Sequence, residues 1–188
     1  MPARYTIMTM GQDFIAAIAK GNTSRVREAI EALHRSELPE DKRHTVLMWT
    51  WFHGDVAALR LLIENGWQLS EIGADLGLNG ACFHGHRDLV DYLLQQGANA
   101  NFQQLETHET PLHSAICKAG RPQYNPIVEL LLQHGANPNL ATKPGVETGA
   151  FMRDTRTRAE TPLHRAAAFG DEAMITLLLD AGADKTLR

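Results

Sequence analysis

Apolar residues recur along the chain in short clusters: Leu59-Leu61-Leu62, Leu89-Val90-Leu93-Leu94, Ile127-Val128-Leu130-Leu131-Leu132 and Met174-Ile175-Leu177-Leu178-Leu179. Within each cluster the spacing is helical, placing the apolar side chains on one face. No alternating apolar–polar run competes with them, so the pattern predicts an all-α chain. Glycines punctuate it at fixed offsets. Counting from Thr161, Gly170 falls 9 residues later and Gly182 21 later. Thr45 leads in the same way to Gly54 and Gly66, and Leu76 to Gly85 and Gly97. Gln12 leads to Gly21, with Leu33 at the second place. Five helix–turn–helix units are therefore predicted, starting at Gln12, Thr45, Leu76, Thr110 and Thr161, within a single domain over 1–188.

Two of the units open on the same words, Thr110-Pro111-Leu112-His113 and Thr161-Pro162-Leu163-His164. Threonine suits the N-cap, where its hydroxyl accepts from an orphan backbone N–H of the first turn. Proline suits the first helical position, where its missing N–H costs nothing. Leucine faces the core. Gly135-Ala136 and Gly182-Ala183 then close the second helices, where a left-handed residue is needed.

This grammar resembles the ankyrin repeat, whose Thr-Pro-Leu-His-x-Ala signature returns about every 33 residues. The resemblance covers about residues 12–188. It implies a solenoid of helix pairs joined by finger loops, with binding surfaces and no built-in chemistry. It also implies that His113 and His164 are structural, tying each helix start to the neighbouring finger.

Departures from the pattern carry their own information. From Thr110 to Gly135 the unit spans 25 positions instead of 21, the excess lying in KAGRPQYNP between its two helices. From Gly135 to Thr161 the span is 26 positions against 12 from Leu33 to Thr45, so one finger, at about 140–160, is expected to be much extended. Insertions in repeat proteins map to one face, often the binding face. The helix start at Leu76-Gly77-Leu78-Asn79 departs furthest from the motif.

A net charge of −4 argues against nucleic acid, which rewards clustered positive surface. No apolar run is long enough to cross a bilayer, and MPARYTIMTMGQDF lacks the features of a secretory signal. Cys82 and Cys117 form no disulfide framework, which points to a reducing, cytoplasmic setting. Solenoids need polar outer faces at both ends. Arg25, Arg27, Glu28 and Glu31 suit the first unit, and Arg165, Thr176 and Asp180 are expected to wet the last.

Catalytic signatures are lacking: there is no G-x-S-x-G elbow, phosphate-cradling glycine loop or H-E-x-x-H pair. Glu106 and Glu109 lie in finger loops with no burial expected. Cys82, His84 and His86 are the remote metal candidate, but they lack a second Cys/His pair at finger-like spacing, so no metal or cofactor is expected. The chain reads as no enzyme.

Register supplies better candidates. In ankyrin-like units the two residues before the first glycine face a concave groove. Here they are Ala19-Lys20, Phe52-His53, Phe83-His84, Lys118-Ala119 and Ala168-Phe169. Aromatic anchors beside hydrogen-bonding neighbours suit interface hot spots. Phe52, His53, Phe83, His84, Lys118 and Phe169 are thus expected to bind a partner; Trp49 and Trp51 are expected in the core. From the long finger, Phe151, Arg153, Arg156 and Arg158 are expected to join them. Asp41, Lys42, His44, Glu106, His108, Glu109, Thr157, Arg158 and Glu160 form the expected polar rim of finger tips. The predicted function is a monomeric, non-catalytic protein-binding module, an adaptor or scaffold, whose partner is another protein with basic patches rather than nucleic acid or membrane. An inhibitor of the immunity type, blocking a toxin or enzyme, is the alternative.

Overall fold

The computed structural model describes residues 40–117, 119–148 and 159–187, together with Ala16, Lys20, Ser24 and Glu28. The chain divides after Gly77 into two compact units. Among the described residues there is no strand.

In the first unit, helix α1 (Glu40–Phe52) turns at Gly54 into α2 (Val56–Glu64), and a short 3-10 turn follows at Leu69–Glu71. The sequence register places a helix start at Thr45. Helix α1 instead begins five residues earlier, because EDKRH offers no glycine or proline to stop it and Pro39 precedes it. Asp41, Lys42 and His44 are therefore helical and do not form a finger tip. Asp55 caps α2, its carboxylate accepting from Ala58 N–H at 2.9 Å. Val46, Leu47, Leu59, Leu62 and Trp67 form the core. The Trp51 indole N–H donates to the Gly77 carbonyl at 3.0 Å, and a Cβ at position 77 would run into that indole.

Three helix pairs make the second unit: α3 (Leu78–His84) with α4 (Arg87–Gln95), α5 (Pro111–Ala115) with α6 (Asn125–Gln133), and α7 (Pro162–Phe169) with α8 (Glu172–Asp180). The first helices pack in one row and the second helices in another. Leu78, Leu89, Leu93, Leu112, Ile116, Ile127, Leu131 and Leu178 are buried between them. Thr110 and Thr161 stand at the N-caps of α5 and α7, each followed by its proline. The weak motif at Leu76 slips: Leu76 and Gly77 are both left-handed (φ +55° and +82°), so helix begins only at Leu78.

Consecutive units are stapled at their glycine turns. Asn101 donates to the Gly135 carbonyl (2.8 Å) and accepts from Asn137 N–H (2.6 Å). One unit on, Asn139 donates to the Gly182 carbonyl (3.0 Å) and accepts from Asp184 N–H (2.8 Å).

The extra residues of KAGRPQYNP serve packing. They form a 3-10 turn, Pro122–Tyr124, that buries Tyr124. Its hydroxyl donates to the Phe83 carbonyl at 3.0 Å and accepts from Arg121 at 3.1 Å. The ring lies where a Cβ at Gly85 would sit, 2.8 Å from that point, and Gly85 itself is left-handed (φ +80°). Gly85→Ala is therefore expected to cost about 2–4 kcal/mol, combining backbone strain with overpacking. Denaturant unfolding measures it, and adding Tyr124→Leu should return the steric share. A Gly85→Ala protein as stable as the parent would contradict this account.

Two backbone hydrogen bonds join described residues of different loop segments. Thr142 N–H donates to the Glu160 carbonyl (3.0 Å), and Lys143 N–H to the Thr107 carbonyl (2.8 Å). Phe151, Arg153, Arg156 and Arg158 lie outside the described residues, as do Lys118, Arg25, Arg27 and Glu31.

Candidate partner-binding surface

On α1 the buried face is carried by Val46, Leu47 and Thr50, which leaves Trp49, Phe52 and His53 on the other side of the helix. Trp49 is 40% exposed and Phe52 49%. The sequence expectation of a core Trp49 is corrected by this helical phase; Trp51 is half-buried. The Trp49 and His53 rings stack at 5.3 Å, and Phe52 meets both edge-on, at 6.3 and 5.4 Å. Met48, Trp49, Trp51 and Phe52 line an apolar cavity of about 290 Å³.

In the second unit Phe83 is half-buried, with the exposed His84 edge-on to its ring at 5.3 Å. Phe83 forms one wall of a cavity of about 310 Å³ whose other walls include Gln104, Thr107, Glu109, Ser114 and Cys117. Phe169, also half-buried, borders a smaller cavity with Arg121, Pro122 and Met174. Cys82 is buried in the core, while His84 stacks on His86 at 5.9 Å. Among the described residues no three His, Cys, Asp or Glu side chains converge as metal ligands.

The second unit also holds a buried ionic cluster that the sequence does not announce. Arg165, expected to wet the end of the solenoid, is 0% exposed. Its Nη2 contacts Glu109 Oε1 at 2.7 Å and Glu160 Oε1 at 2.9 Å, and its Nε donates to Glu160 Oε1 at 2.9 Å. Its Nη1 donates to the His113 carbonyl at 2.8 Å. Glu109 and Glu160, expected on the polar rim, are each only 5% exposed. The correction has a clear cause: a guanidinium with five donors can satisfy two carboxylates and a carbonyl together, which makes burial tolerable.

His113 belongs to the same cluster. Thr110 directs its backbone N–H (3.2 Å) and its hydroxyl (2.8 Å) at Nδ1. The imidazole proton therefore sits on Nε2, which donates to the Glu160 carbonyl at 3.0 Å. Burial, then the Arg165 charge, push its pKa from 6.5 down to about 3, against the Glu160 carbonyl, which raises it. His164 repeats the local pattern with Thr161 (3.1 and 2.9 Å) but is exposed. Among the described residues, the tie to a neighbouring finger is made by His113 alone of the two.

Residues 14–104 and 78–188 match the family of ankyrin repeats (3 copies). The chain belongs to the ankyrin repeat family. A crystallised ankyrin repeat domain from Acinetobacter baumannii AYE superposes with a TM-score of 0.61 at 27% identity, covering 89% of this chain and 80% of that one. Human 2-5A-dependent ribonuclease is 52% identical over 58 residues, 31% of this chain and 7% of the ribonuclease. Human NF-kappa-B inhibitor delta is 36% identical over 105 residues, 54% of this chain and 29% of the inhibitor. This ankyrin repeat chain thus spans well under half the length of these two curated relatives. Ankyrin repeats generally mediate protein–protein interaction and are generally non-catalytic.

Proposed function

We propose that this ankyrin repeat chain is a non-catalytic adaptor whose protein partner is held by side chains just ahead of its turn glycines. The observation that carries this is the open aromatic face of Trp49, Phe52 and His53 in one unit, matched at the equivalent register position by Phe83 and His84 in the other. Large rings beside hydrogen-bonding groups concentrate binding energy at interfaces. The net charge of −4 favours a partner with basic patches over nucleic acid.

Peptides displayed on phage and selected on the full chain supply ligands for the test. Phe83→Ala should weaken the selected ligands by about 2 kcal/mol, roughly 30-fold, without changing the fold. Unchanged affinity in a folded Phe52→Ala, Phe83→Ala double variant would overturn the proposal.

A blocking role is the second reading. The long insertion between Gly135 and Thr161 in the sequence favours it, since insertions in repeat proteins often map to the binding face. A relative named as an inhibitor, NF-kappa-B inhibitor delta, is consistent with it.

A further inference from the structure

We propose that the cavity on α1 walled by Trp49, Trp51 and Phe52, with Met48, is a cage for a trimethylated lysine side chain of the protein partner. This rests on the protein-binding function above and names the chemistry of one contact within it.

The cage comes from a single stretch of helix. At about 100° per residue, Met48 and Phe52 project in nearly the same direction, and Trp49 and Trp51 flank them about 80° to either side. Together they line a cavity of about 290 Å³, with no charged side chain among its described lining residues. Small-molecule pockets begin at about 300 Å³, so this volume suits the head of one side chain. The walls stand at set angles. The Trp49 and Phe52 rings lie 6.3 Å apart at 70°, like two sides of a corner. The His53 ring stacks on Trp49 at 5.3 Å and props that wall. Trp51 is pinned by its indole N–H, which donates to the Gly77 carbonyl at 3.0 Å. An indole has one donor, and here it is spent, so Trp51 brings the cavity aromatic surface in place of a polar group.

The chemistry of these walls selects for a methylated cation. Aromatic faces are negative and attract a positive group, indole most strongly. An anion would be repelled by the same faces. An unmodified lysine ammonium holds water tightly and carries three donors, which would meet no acceptor here beyond the weak Met48 thioether. Trimethylation exchanges those donors for methyl groups and keeps the charge, so the head sheds little water and packs against the rings. The chain's net charge of −4 adds attraction for a cation at longer range. A neutral apolar head of the same shape gains burial without the attraction between charge and ring.

That difference is what the experiment reads. Nα-acetyl-trimethyl-lysine amide is titrated into the ¹⁵N-labelled full chain, beside its neutral isostere with carbon in place of the quaternary nitrogen, and beside the unmethylated lysine compound. The trimethyl compound should give saturable shifts of the Trp49 and Trp51 indole N–H signals, while Trp67, buried in the core, stays still. The isostere should bind at least fivefold more weakly and the unmethylated compound at least tenfold. Trp49→Leu should abolish the shifts at Trp51 while leaving thermal unfolding unchanged. Should that variant disturb the fold, 5,7-difluorotryptophan in place of all tryptophans keeps the shape and drains the rings of charge; it should weaken the trimethyl compound several-fold and spare the isostere. Equal binding of isostere and trimethyl compound, binding of neither, or binding undiminished in the folded Trp49→Leu protein would overturn the inference. So would sedimentation with phosphatidylcholine vesicles that Trp49→Leu abolishes, which would assign the cage to a lipid headgroup. Phage-selected ligands without any binding of the trimethyl compound would overturn the cage and leave the protein-binding function standing. Binding of the trimethyl compound with no phage-selected ligand would do the reverse.

Discussion

Arg165→Leu should cost the protein about 3–5 kcal/mol, the range for removing one partner from a buried ion cluster. That is a large part of a typical folding free energy of about 5–15 kcal/mol. The variant leaves two carboxylates, Glu109 and Glu160, and the His113 carbonyl without the donors that Arg165 brings to them. Arg165→Lys keeps the charge but lacks the fork that reaches all three, so it should recover only part of the loss. Replacing the cluster as a whole, with Arg165→Leu, Glu109→Gln and Glu160→Gln together, should be milder than Arg165→Leu alone, because no buried charge is then left behind. Denaturant unfolding of the three proteins checks the order. A single Arg165→Leu variant as stable as the parent would show that the cluster contributes nothing to folding.

Acidification should weaken the fold before any surface carboxylate titrates. His113 is neutral in the native state because its pKa is pushed down to about 3, whereas the unfolded chain takes up a proton below about 6.5. The unfolded state therefore binds more protons across that window, so stability rises with pH there. The contribution is fully present above about pH 6.5 and is lost as pH falls towards 3, with a limiting slope of about 1.4 kcal/mol per pH unit. Asp171 and Asp184 also have lowered pKa values, but from 3.8, so they act at more acidic pH. Asp171 owes its shift first to the Met174 N–H and then to Asn125, and Asp184 to the Thr186 hydroxyl and N–H. Unfolding curves at pH 7.0, 6.0 and 5.0, values chosen to lie above the carboxylate range of about 4, separate His113 from the carboxylates. His113→Gln keeps a donor towards the Glu160 carbonyl and removes the titration, so its stability should vary less over this interval. Equal slopes for parent and variant would refute the assignment.

What the sequence displays and what it conceals differ by the range of the interaction. Thr110-Pro111 and Thr161-Pro162 are local signals, and both became helix starts. The glycine offsets are local too, and Gly54, Gly66, Gly85, Gly97, Gly135 and Gly182 are all left-handed. Gly170 is not (φ −76°): it ends α7 in extended backbone. The helix start at Thr45 failed because nothing in EDKRH interrupts a helix, so periodicity alone could not mark its first turn. Trp49 was misplaced for a related reason: an error of helix phase moves a side chain from the core to the surface.

The Arg165 cluster was out of reach altogether. Arg165 and Glu109 lie 56 residues apart, and neither carries a local mark of burial. A charged residue in a finger and another on a helix read as solvated until folding brings them together. Register could place Phe83 beside the surface, but only the folded chain shows that Gln104, Thr107 and Glu109 complete a cavity with it.

The asparagine staples have a consequence for how such a chain can be assembled from parts. Asn101 and Asn139 each contact only main-chain groups of the following unit, a glycine carbonyl and the N–H two residues on. They recognise the shape of a turn and ignore the side chains around it. Any helix pair ending in the same turn would satisfy them equally, so this joint allows whole units to be duplicated, removed or exchanged like links of one chain. The specificity that a partner meets can then change cassette by cassette while the hinge between cassettes stays the same.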